Sequence, residues 1–124
     1  MKKDEQKIQK FDELEKSYSN DGEMIDFTKA TWLTSRGNYF GREKMLDESI
    51  ADFIEAIELK KDHLPAYLGM ALSCTIKAGG DFNEGLKVIK KAPDEERIGG
   101  ELISTKDYIL KEFEKMREKA NHLG

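Results

Sequence analysis

Two stretches of this chain carry one pattern. Laying Leu33 on Tyr67 puts Gly37 on Ala71 and Phe40 on Cys74, a shift of 34 residues. Further along, Leu46 falls on Phe82, Glu48 on Glu84, Ser49 on Gly85, Phe53 on Ile89 and Ala56 on Ala92, a shift of 36. The extra residues fall at Ala78-Gly79-Gly80, a turn, where insertions are tolerated. A recurrence of this length is one helical hairpin per unit, and each unit must bury its apolar side against a neighbour. The matched residues suit that task. Small ones at Gly37, Ala71, Ser49, Gly85, Ala56 and Ala92 let paired helices approach, while Leu33, Phe40, Phe53, Tyr67 and Ile89 fill the space between them.

Helical periodicity extends beyond the repeat. Lys3 to Ser19 has Ile8, Phe11, Leu14 and Tyr18 on one face, and Asn20-Asp21-Gly22 stops it. Glu23 to about Phe40 carries two apolar stripes. One is Phe27, Ala30, Leu33, Gly37 and Phe40; the other is Ile25, Trp32 and Tyr39. Two stripes predict a helix packed between neighbours. Leu46 to Lys61 opens on Asp47 and Glu48 and closes on Lys60-Lys61, charges that suit the helix dipole. Pro65 to Lys77 is apolar nearly all round, with proline in its first turn and Gly79-Gly80 as its stop. Asp81 caps a fifth helix, with Glu84 placed for a capping box, and Pro93 ends it. Asp94 to Gly100 reads as a solvated polar loop. Glu101 to His122 reads as one amphipathic helix with Leu102, Ile109, Phe113, Met116 and Ala120 on its dry side. The segments predict an all-α fold of about six helices in antiparallel hairpins, one domain spanning residues 1–124.

The two units resemble the tetratricopeptide repeat family. The second reads Tyr67-x-x-Met70-Ala71-x-x-Cys74, then Gly80-Asp81-Phe82-Asn83-Glu84-Gly85, Ile89 and Ala92. The first reads Leu33-x-x-Arg36-Gly37-x-x-Phe40, then Asp47-Glu48-Ser49-Ile50, Phe53 and Ala56. Arg36 stands where the family has Leu, Cys74 where it has an aromatic, and Lys61 and Arg97 where it has a terminating Pro. The resemblance implies an α-α superhelix. Residues 1–22 would be an amino-terminal helix, 23–99 two repeats, and 100–124 the solvating helix that closes such an array.

The family resemblance also implies a concave groove that binds a protein or peptide segment. The corresponding places are Thr34, Asn38 and Arg42 on the first unit, and Leu68, Leu72 and Thr75 on the second. A mixed polar and apolar surface suits an extended peptide or an amphipathic helix. One branch of the family grips a C-terminal carboxylate. Of its signature only Asn38 is present; Thr34 and Gly69 replace its Lys and second Asn, and a third repeat is missing. The alternative is a self-associating helical unit that forms a homo-oligomer without a peptide ligand.

Other chemistry finds little footing in the residues. With 21 basic against 25 acidic residues and a net charge of −4, the chain lacks the basic field of a nucleic-acid protein. No apolar run approaches the ~18 residues of a membrane span, and the Lys-rich, acidic start is no secretory signal. A cytoplasmic protein is expected. Cys74 is the only cysteine, so neither an internal disulfide nor a cysteine zinc site is expected. His63, in a turn, and His122, near the end, read as surface residues, Cys74 as core filler, and Asp94-Glu95-Glu96 as solvated acids. No catalytic set, metal or cofactor is expected.

Overall fold

The computed structural model describes residues 22–123. Helix α1 (Gly22–Arg42) and α2 (Leu46–Leu59) form one hairpin, and α3 (Leu64–Lys77) and α4 (Phe82–Lys90) a second. A two-stranded antiparallel sheet of β1 (Glu95–Ile98) and β2 (Glu101–Thr105) leads into α5 (Lys106–Leu123). The described residues are thus mostly helical. The helix expected over Lys3 to Ser19 lies outside them, as does the side chain of His122.

Each stop has a local cause. At the end of α3 the Gly79 N–H reaches the Ile76 carbonyl at 3.0 Å and the Gly80 N–H reaches Thr75 at 2.9 Å. This six-to-one, five-to-two pattern needs a left-handed residue, and Gly79 supplies it at φ 75°. α1 ends the same way, from Lys44 to Gly41 at 3.1 Å and from Met45 to Phe40 at 2.9 Å. There the left-handed place is held by a lysine, Lys44 at φ 63°. Asp81 caps α4 as expected, its Oδ1 accepting the Asn83 N–H at 3.0 Å. Glu84 does not complete the box; it pairs with Lys87 at 2.8 Å.

α1 packs on α2 and α3, and both of its apolar stripes are used: Ala30, Leu33, Gly37 and Phe40 are buried, and so are Trp32 and Tyr39. α3 lies between α2 and α4, and α5 packs on α3 and α4. Among the described residues two clusters form the core. Ala30, Trp32, Leu33, Phe53, Ala56 and Ala66 make the first; Leu64, Ala71, Ile89, Ala92, Ile109 and Phe113 make the second. The Phe53 ring reaches the backbones of α1 and α3 where both lack side chains. A Cβ at Gly37 would stand 2.8 Å from its Cε1, and one at Gly69 2.5 Å. Ser49 runs a polar seam through the same contact, donating to the Gly37 carbonyl at 2.6 Å and accepting from Ser73 at 2.8 Å. Arg36, the residue foreign to the repeat pattern, makes a bidentate pair with Asp52, both bonds 2.8 Å, with its guanidinium 4.8 Å from the Trp32 ring centre.

The α3–α4 contact is equally close. A Cβ on Gly85 would collide with Phe113 and Thr75 and stand 2.7 Å from the Ala71 carbonyl oxygen, which is backbone and cannot swing away. Alanine in a helix gains about 1 kcal/mol over glycine, whereas overpacking costs about 1–3 kcal/mol. Gly85→Ala should therefore be destabilising on balance, read as a lower thermal midpoint. A raised midpoint would show that α4 can move off α3 freely.

The sequence reading differs from the fold at the carboxyl side. Asp94 to Gly100 is not a free loop, and Glu101 to Thr105 is strand rather than the start of the last helix, which begins at Lys106. Ile98 pairs with Glu101, so Gly99-Gly100 is a two-residue hairpin loop, with φ of 57° and 83°. Both central angles are positive, which is the primed turn that suits strand twist. Ile103 is an extra residue in β2, a bulge opposite the Glu96–Arg97 step.

Candidate functional site

Between α1 and α3 lies a shallow cavity of about 280 Å³. Its floor is Gly41, Gly69 and Ser73, where missing or short side chains let the helices come close. One wall carries Asn38 and Arg42 of α1 and Lys44 of the turn; the other carries Leu72 and Ile76 of α3. Among the described residues no carboxylate lines it. The cavity is therefore cationic on one side and apolar on the other. An anionic group beside an apolar side chain matches both walls.

Of the six residues expected in a groove, the cavity gathers Asn38, Arg42 and Leu72. Leu68 is half-buried and packs against the second core cluster. Thr34 and Thr75 do not reach a groove, being only 6% and 4% exposed. The reason is helical phase. Among the described residues of α1 the exposed ones are Asp26, Thr31, Ser35, Asn38 and Arg42, and Thr34 falls beside buried Leu33. On α3, Thr75 stands one turn after Ala71, bonds its carbonyl at 2.8 Å and faces Gly85 of α4. Lys44, Ser73 and Ile76 were missed. Ile76, one turn beyond Leu72, was within reach of spacing alone; Lys44 was not, because it enters through its left-handed turn.

A second cluster is buried at the α2–α3 turn. His63 is 2% exposed and Glu96 1%. His63 Nδ1 lies 2.8 Å from Glu96 Oε2; an ionised carboxylate only accepts, so the imidazole donates. Lys60 Nζ donates to the same oxygen at 3.2 Å, to Asp62 at 2.6 Å and to the Arg97 carbonyl at 3.3 Å. Asp62 in turn accepts the Arg97 N–H at 3.0 Å. The Phe27 ring meets the imidazole edge-on, centroids 6.0 Å apart. His63 Nε2 is buried with no hydrogen-bond partner among the described residues. Burial pushes the Glu96 carboxyl up, but the bonds and charges of His63 and Lys60 outweigh it and hold it below its ordinary value. Asp62 is likewise lowered: burial opposes, and the Arg97 N–H and Lys60 prevail. Neither His63 nor Glu96 is the surface group expected from sequence. Together they fasten the β hairpin to the turn before α3.

Cys74 is half-buried, and burial pushes its thiol up, away from the reactive thiolate. Among the described residues no group of three or more His, Cys, Asp or Glu is placed to hold a metal ion. None of their helices is long and apolar enough to cross a membrane. Compared with protein-family models, curated proteins and solved structures, the chain matches none.

Proposed function

We propose that this chain is a non-enzymatic interaction module that seats a peptide or protein segment between α1 and α3. The observation that carries the reading is the two-sided cavity, with Asn38, Arg42 and Lys44 facing Leu72 and Ile76. Arg42 and Lys44 would hold a carboxylate of the partner, Asn38 would bond its backbone, and Leu72 and Ile76 would receive an apolar side chain. The repeat pattern, read as tetratricopeptide-like, supports the same surface, since that family binds segments along its leading helices. A binding role also accords with two exposed cations, Arg42 and Lys44, that share the cavity wall with no carboxylate among the described residues.

The test uses a peptide recovered by display selection on the intact chain. Asn38→Ala with Arg42→Ala should leave the melting midpoint unchanged, because both side chains are exposed. Affinity should fall by about 2–3 kcal/mol if the two contacts are desolvated. Unchanged affinity would put the peptide elsewhere and end this assignment.

A further inference from the structure

A different face carries a second inference. An apolar cavity of about 240 Å³ lies between α2 and α4, lined by Ile54, Ile57, Tyr67, Met70 and Val88, with Glu58 on one rim and Lys91 on the other. Ile54 at its edge is 43% exposed. The helices that flank it have opposite charge. α2 contains acidic residues and no lysine or arginine, while the last turn of α4 and its cap carry Lys87, Lys90 and Lys91. Neither Glu58 nor Lys91 takes part in an ion pair among the described residues.

The geometry points to a second copy of this chain as the occupant. The face is an apolar strip with an acidic edge and a basic edge, and such a face is complementary to itself. A two-fold axis running along the strip turns the acidic α2 edge of one copy onto the basic α4 edge of the other, on both sides at once. Glu58 then meets Lys91 of the second copy twice over. Ile54 and Val88 of each copy meet across the strip and lose their exposure to water. A partner of uniform charge would satisfy one edge and oppose the other. The apolar strip is short, so the dimer is weak and depends on its charged edges. This face is separate from the α1–α3 cavity, so the inference does not rest on the peptide-binding proposal.

Sedimentation velocity on the full chain tests it. Wild type should pass from monomer to dimer as concentration rises, and added salt should shift it back toward monomer. Glu58→Lys alone and Lys91→Glu alone should each weaken association by about tenfold or more, because like charges then face each other. The double variant Glu58→Lys/Lys91→Glu should restore it, since the edges are merely exchanged. Both positions are exposed, so the melting midpoint should hold in every variant. A chain that is monomeric at all concentrations overturns the inference. So does a dimer that both single reversals leave intact, or a double variant that stays as weak as the singles.

Discussion

Replacing Phe113 with alanine is expected to cost about 3–5 kcal/mol, the range for emptying a fully buried aromatic site. Phe113 is the point at which α5 enters the second core cluster. It is fully buried, its ring stands against Phe82 at 5.5 Å and 61°, and it fills the space left by Gly85. Ile109, one turn earlier, is also buried, while most of the rest of α5 is charged and exposed. The helix thus docks through few side chains, and the loss of its largest cannot be shared among neighbours. Leu64, Ala71 and Ile89 would border the cavity. Urea denaturation reads the effect. A loss below about 1 kcal/mol would show that α5 is dispensable to the second hairpin, against its reading as the helix that closes the array.

Glu96→Ala is expected to cost about 3 kcal/mol at neutral pH. Removing one member of a buried charge cluster strips its partners of part of their compensation. Here Lys60 would keep only Asp62 and the Arg97 carbonyl, and the His63 N–H would lose its acceptor. Glu96→Gln should cost less, because the amide oxygen can still accept from His63. The effect also has a pH signature. The Glu96 carboxyl is held below its ordinary value of 4.5 in the fold, so its contribution is complete above that pH. It is lost as the pH falls through the lowered value, where the native carboxylate takes up its proton. The gap between wild type and Glu96→Ala should therefore narrow in acid. A gap that is constant from neutral pH to about pH 3 would mean that Glu96 acts through packing alone.

The helical part of this structure was legible because its signals are local. Gly79-Gly80, Asp81 and Pro65 each act within one turn, and the small residues of the repeat recur at fixed spacing. The hairpin was legible too, though it was misread: two glycines separate Glu-Glu-Arg-Ile from Glu-Leu-Ile-Ser-Thr, and a two-residue Gly-Gly loop between such runs is a strand-pairing signal. The buried pair was not legible. His63 and Glu96 are 33 positions apart, and only the closure of α3 and α4 brings them together. A polar residue type announces exposure, and only tertiary packing can overrule it. In the candidate site, of the residues that the family resemblance places in a groove, Asn38, Arg42 and Leu72 line the α1–α3 cavity, while Thr34 and Thr75 are buried. On a helix with apolar stripes on two sides, the free strip is narrow, and a residue one position off it is covered.

The tie from Lys60 and His63 to Glu96 bears on how the molecule comes apart. In a stack of helical repeats each unit touches only the next, so ends can fray while the middle stays folded. Here the turn that enters α3 is held to the strand that follows α4, a bond spanning 36 positions from Lys60. The backbone N–H of Lys106 extends the link, donating to the Asp94 carbonyl at 2.7 Å where α5 begins. The second hairpin is thereby enclosed in a loop whose two ends are fastened together. Opening it from the carboxyl end means releasing two buried charges at the first step. The enclosed helices and α5 are therefore expected to open in one concerted event, read in hydrogen exchange as a single free energy shared by their protected amides.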